Sequence, residues 1–122
     1  MRKLQISVLA AIAASLTVTI ADAHPQLTAA GPVPGSVVTA SPKAIRIQFN
    51  EAVVAKFSGV ELVDESGKKH DTGAASLSPN DKKQLIIPVN GDLTPGKYTV
   101  NWHAVGDDTH RVEGKFNFEL KP

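Results

Sequence analysis

Lys97-Tyr98-Thr99-Val100-Asn101-Trp102-His103-Ala104-Val105 alternates apolar and polar residues with a period of two. Successive side chains of a strand point to opposite faces, so Tyr98, Val100, Trp102 and Ala104 share one face while Thr99, Asn101 and His103 share the other. The stretch predicts a half-buried strand, the strongest in the chain, with Trp102 as a core anchor. A turn, Asp92-Leu93-Thr94-Pro95-Gly96, leads into it. Beyond it, residues 113–120 repeat the pattern with Phe116, Phe118 and Leu120 inward.

Working outward from this pair, the same period recurs in short runs separated by turn chemistry. Residues 44–50 place Ile45, Ile47 and Phe49 on one face and Arg46, Gln48 and Asn50 on the other. Residues 58–64 put Val60 and Leu62 together and end in Asp64-Glu65-Ser66-Gly67. Residues 68–80 are polar and loop-like, with a weak edge strand at 70–73. Residues 84–89 are more fully apolar, and Pro88 marks their end or an edge position. At the front, 26–30 form a short strand, and Gly31-Pro32-Val33-Pro34-Gly35 forces a turn because two prolines remove ladder donors. No stretch of 24–122 keeps a helical period of 3.6. About seven strands in one domain predict an all-β, seven-stranded Greek-key sandwich or barrel of the Ig-like or cupredoxin-like kind.

The 122-residue sequence opens with a different composition. Arg2 and Lys3 precede a mostly apolar run over residues 4–20, and Ala21-Asp22-Ala23 offers small residues at the positions a signal peptidase reads. Gln5, Ser7, Ser15, Thr17 and Thr19 dilute that run below what a membrane span wants. Residues 1–23 are therefore read as a cleavable signal peptide, with cleavage between Ala23 and His24 and export of the rest; the periplasm as destination is what the family resemblance described below implies. Residues 24–122 form the mature domain, not membrane-embedded and expected to be a monomer. The leader carries away Arg2, Lys3 and Asp22, leaving the mature charge near zero. No basic stripe with interleaved aromatics is present, which argues against a nucleic-acid partner. There is no cysteine, and the single methionine is Met1. The mature chain thus has neither a disulfide nor a soft sulfur donor.

Cleavage at that place would leave His24 with a free α-amine beside its imidazole. Amines and imidazoles ordinarily titrate near 7.7–8.0 and 6.5, so both become neutral donors near physiological pH. Such a nitrogen chelate suits Cu(II). Pro25 has no N–H to surrender, so the chelate stops at amine plus imidazole and leaves positions open for other ligands. The other crowding of histidine and carboxylate is Asp107-Asp108-Thr109-His110, between the two strongest strands. In extended backbone Asp108 and His110 would point the same way. Together with His24 they make a donor set of nitrogen and oxygen only, which fits one Cu(II) ion per chain, with Zn(II) as the competitor. The plainer reading of Asp108-Thr109-His110 is a solvated turn. His103 is read as a solvent-facing strand residue and His70 as surface. Asp107 is a candidate support for the loop, and Glu51 and Glu113 are left without a role.

The ordered set of phrases resembles the CopC-type periplasmic copper-binding proteins. His24-Pro25-Gln26-Leu27 leads to Pro34-Gly35-Ser36-Val37 and Ser41-Pro42, then to Ile45-Arg46-Ile47-Gln48-Phe49-Asn50-Glu51-Ala52-Val53. Leu93-Thr94-Pro95-Gly96-Lys97-Tyr98-Thr99-Val100-Asn101-Trp102, Asp108-Thr109-His110 and Gly114-Lys115-Phe116-Asn117-Phe118 follow in the family's order. The resemblance implies a cupredoxin-like sandwich binding Cu(II) through the residues that match His24, Asp108 and His110. It implies a role in copper homeostasis or resistance without catalysis, beside an inner-membrane CopD-type importer. The chain departs from better-known members in lacking a methionine-rich Cu(I) segment, which places it with a Cu(II)-only branch. It departs again at Thr109, where glycine is frequent.

Two other classes compete. A histidine-brace copper oxidoreductase of the lytic-monooxygenase kind would need a docking face, yet most of Phe49, Phe57, Tyr98, Trp102, Phe116 and Phe118 are assigned to the core. An Ig-like interaction module would leave the histidines incidental. A Cu(II) carrier or buffer is the preferred expectation, not an enzyme.

Overall fold

A computed structural model describes residues 24–122, which carry nine strands. These are β1 (Leu27–Gly31), β2 (Val37–Val38), β3 (Ala44–Phe49), β4 (Gly59–Asp64), β5 (Lys69–His70), β6 (Ser76–Ser78), β7 (Asp81–Pro88), β8 (Gly96–Val105) and β9 (Arg111–Leu120). The signal peptide expected over 1–23 lies outside the described residues. One sheet has the order β1-β3-β7-β6 and the other β2-β9-β8-β4-β5. The chain crosses between the sheets after β1, β2, β3, β5 and β7, giving the all-β Greek-key sandwich expected from the alternation.

The β8–β9 hairpin is the backbone of the second sheet, paired from Gly96 with Leu120 to Val105 with Arg111. That register sets Tyr98 opposite Phe118 and Val100 opposite Phe116. Since directly opposed residues share a face, the inward sets of both strands meet as one surface. The Tyr98 and Phe118 rings stack with centroids 5.4 Å apart. Ile45, Ile47 and Phe49 of β3 and Leu85 and Ile87 of β7 close the core from the other sheet. Burying each such side chain stabilises by about 1.5–3 kcal/mol, which is how a disulfide-free domain of this size holds together.

All seven expected strands are present, and two short ones join them. β2 is two valines that pair parallel to the end of β9, too short to show a period. β6, Ser-Leu-Ser, packs only Leu77 against the core and forms a hairpin with β7. β7 accordingly starts at Asp81, ahead of the apolar run. The backbone N–H of Lys83 and the side-chain amide of Gln48 both donate to the Asp81 carboxylate, at 2.9 and 3.0 Å, and hold its pKa below the usual range. The weak edge strand is β5, after which Thr72 makes an isolated bridge to Val89, just past the end of β7.

Trp102 is a partial correction. It packs edge-on against Phe49, centroids 5.5 Å apart, yet it is half-buried at the margin of the core. Its indole lies over Gly114, the residue paired with it on β9. A Cβ at position 114 would sit 2.4 Å from indole Cζ2, so only glycine leaves room for the ring.

Three features meet at one end of the sandwich. β1 begins at Leu27 opposite Phe49, so the first described residues run off the far end of β3. The β8–β9 connection, residues 106–110, closes the same end. The segment after β3 stitches the two together, with Val53 bridged to Gly106 and the Val54 N–H donating to the Val105 carbonyl at 2.8 Å. Buried Ser58 adds to the stitch, its Oγ donating to Val54 O at 2.7 Å and accepting from the Val105 N–H at 3.1 Å.

Candidate metal centre

The segment that carries His24 is tied to β3 by its backbone. Gln26 N–H donates to Asn50 Oδ1 at 2.8 Å, and Asn50 N–H donates back to Gln26 O at 3.0 Å. This reciprocal pair extends the β1–β3 ladder past the strand end, with a side-chain oxygen standing in for a carbonyl. Pro25 is buried, its ring against Gly106: a Cβ on Gly106 would lie 3.0 Å from Pro25 Cγ and 3.1 Å from Cδ.

The second contributor is the hairpin connection. Thr109 N–H donates to the Gly106 carbonyl at 3.0 Å, closing a tight turn, and Thr109 has φ of 68°. This corrects the expectation of an extended Asp108–His110 pair. The two side chains converge because the backbone turns through a left-handed residue, a conformation that β-branched residues rarely adopt and glycine enters freely. The glycine frequent at this position in the resembled family thus has a physical reason. Asp108 is oriented locally, its Oδ1 accepting from the His110 N–H at 3.2 Å.

With one carboxylate oxygen engaged on its own loop, the other faces both imidazoles. Asp108 Oδ2 lies 3.3 Å from His24 Nδ1 and 3.3 Å from His110 Nδ1. The two rings are 4.8 Å apart at a tilt of 47°. Among the described residues these three form a group of His, Asp or Glu with potential ligand atoms all within 4.8 Å of one another. Bonds of about 2 Å, typical of a divalent ion on imidazole, put opposite donors about 4 Å apart, so the cluster is already near the size of a coordination shell. The donors are two nitrogens and one oxygen, without sulfur, and His110 is largely exposed at 68%. Such a set fits a borderline divalent cation that prefers nitrogen.

The remaining candidates fall elsewhere. His103 sits on the outer face of the second sheet, beside Gly59, Arg111 and Glu113. Partial burial, then the Arg111 charge, lowers its pKa below the ordinary imidazole value, with Glu113 opposing. His70 is half-buried, its Nε2 2.7 Å from the Asn90 carbonyl, and holds a loop. Glu51 and Asp107 line a shallow cleft with Asn50, Ala52, Lys83 and Asp108, beside the cluster. Glu113 pairs with Arg111 at 2.8 Å. Asn50, Gly106 and Ser58 were not singled out by the sequence. Their contributions are a backbone bond, an absent side chain and a buried hydroxyl, and none leaves a periodic or compositional trace.

Residues 27–121 match the family model described as the CopC domain. The chain is 38% identical over 113 residues to Protein YobA of Escherichia coli (strain K12), covering 93% of this chain and 91% of that protein. It is 37% identical over 114 residues to Copper resistance protein C of Pseudomonas syringae pv. tomato, covering 89% of this chain and 90% of the relative. Among solved structures, PcoC, a methionine-rich copper resistance protein from Escherichia coli, superposes with a TM-score of 0.72 at 33% identity. That match covers 81% of this chain and 100% of PcoC.

Proposed function

Because the chain belongs to the CopC domain family, we propose that it is a periplasmic copper-binding protein of the copper-resistance kind, holding one Cu(II) ion through His24, Asp108 and His110. The observation that carries this reading is the single Asp108 oxygen 3.3 Å from both imidazoles. Residues 1–23 serve as the export signal, and their removal after Ala23 frees the His24 amine as a further donor. The ion is cargo, and the protein is a carrier or buffer without turnover that hands copper to a CopD-type inner-membrane importer.

The donor chemistry supports the oxidation state. Copper(I) is selected by thiolate and thioether ligands, whereas nitrogen and oxygen donors suit Cu(II). This sequence has no cysteine and only Met1, in contrast with the methionine-rich relative. The exposed face of His110 gives an incoming ion, or an accepting partner, a route to the cluster.

The deciding experiment is Cu(II) titration with electron paramagnetic resonance on protein beginning at His24, set beside protein with one extra residue before His24. The expected result is a tetragonal, nitrogen-rich signal that the extension weakens with a loss of affinity of about a hundredfold, since ligand number and type set affinity. Equal affinity for the two forms would overturn the amine ligand. Because ligands must give up protons to bind a cation, affinity should fall as the solution is made more acidic.

A further inference from the structure

We propose that Asn50 and Gly106 are positioning residues, forming a clamp that holds His24 in place before any metal arrives. This rests on the copper reading for its purpose, although the clamp itself is a property of the metal-free protein. The first residues of a domain are ordinarily poorly ordered unless something ties them down. Here three contacts do so within the two residues after His24. Gln26 is bonded to Asn50 through both its N–H and its carbonyl, at 2.8 and 3.0 Å. Pro25 is buried against the bare Cα of Gly106. The proline contributes a fixed φ of its own, so little freedom remains between the clamp and the imidazole.

Gly106 joins the two halves of the site. Its carbonyl accepts the Thr109 N–H that closes the turn, and its open side faces both the Pro25 ring and Asp108. A Cβ there would stand 3.0 Å from Pro25 Cγ and 3.4 Å from Asp108 Oδ1. The same absent side chain therefore sets the spacing between the N-terminal ligand and the carboxylate. Gly106 lies outside the left-handed region, so the requirement for glycine comes from close approach and not from conformation. Asn50 performs the matching task on the β3 side, where alanine would keep the backbone N–H that donates to Gln26 O and lose the oxygen that accepts from the Gln26 N–H.

The consequence follows from population arithmetic. A ligand that binds only the clamped form has its apparent affinity reduced by the fraction of molecules clamped. Loosening the segment to about one-tenth occupancy weakens binding about tenfold without touching a metal ligand.

The test uses protein beginning at His24 and its Asn50→Ala, Asn50→Asp and Gly106→Ala variants, with two readouts. Amide hydrogen exchange at Gln26, measured without metal, should quicken about tenfold in Asn50→Ala and return toward the parent rate in Asn50→Asp, which keeps an acceptor oxygen. Cu(II) titration should show about tenfold weaker binding for Asn50→Ala and Gly106→Ala, with the paramagnetic signal broadened. Unchanged exchange at Gln26 in Asn50→Ala, or unchanged affinity in both alanine variants, overturns the clamp. Should the parent protein bind no Cu(II), the function proposed above fails instead, and the exchange data still judge the clamp.

Discussion

The apolar core between β3 and β8 and the polar cluster at the end of the sandwich are built on opposite plans. In the core, Ile45, Ile47, Phe49, Leu85, Ile87, Val100 and Phe116 share the work, drawn from adjacent strands in regular register. The cluster has three side chains, from the first described residue and from a five-residue connection near the other end of the chain. The core is redundant and the cluster is not. Stability and metal affinity should therefore be separable, one responding to changes inside the sandwich and the other to changes at its end.

The sharpest way to break that separation is to remove a proposed ligand. Partners that only orient metal ligands already account for about 10–100-fold in affinity, so Asp108→Ala or His110→Ala should cost at least about a hundredfold. The His110 side chain is largely exposed and that of Asp108 partly so, and neither belongs to the apolar core, so unfolding free energy should stay within about 1 kcal/mol of the parent. Calorimetric Cu(II) titration beside urea unfolding reads both quantities. A large loss of stability in either variant would show that the cluster is part of the structural framework.

The converse change belongs at Gly114. Alanine there puts a Cβ 2.4 Å from the Trp102 indole, so the ring or the β9 backbone has to move. Overpacking of this kind costs about 1–3 kcal/mol. Denaturant unfolding should show that loss, with Cu(II) affinity unchanged because no atom of the cluster is involved. A fall in affinity would mean that the Trp102–Phe49 contact relays strain to the end of β3, where Asn50 and the N-terminal segment are tied.

The smallest effect concerns His103, on neither plan. Partial burial and Arg111 depress its pKa in the folded state, so the unfolded chain binds the proton more readily. Stability should then decline as pH falls below about 6.5 and level off once the folded protein is also protonated. His103→Gln should flatten that slope in unfolding curves measured without metal. An unchanged slope would assign the pH dependence to other groups.

How far the sequence could be read follows the same division. The β8 and β9 faces, the inward set of β3 and the all-β sandwich were legible because alternation is a local signal that pairing then repeats. β2 and β6 were not, since two valines and a Ser-Leu-Ser triplet have no period to detect. Trp102 was assigned to the correct face but given too much depth, because depth depends on the neighbour across the ladder, which here is glycine.

For the cluster, the sequence by itself determined the donor chemistry: His24 followed by a proline, Asp108 and His110 two apart, and no sulfur ligand after Met1. Only the tertiary structure decided that these residues meet, and by what means. Thr109 in a left-handed conformation, and not extended backbone, aims Asp108 and His110 together. Gly106 and Asn50 bring in the segment carrying His24. The physical reason is that residue type fixes which atoms can bind a cation, whereas convergence depends on turn geometry and on contacts between segments more than 80 residues apart, which no local pattern encodes.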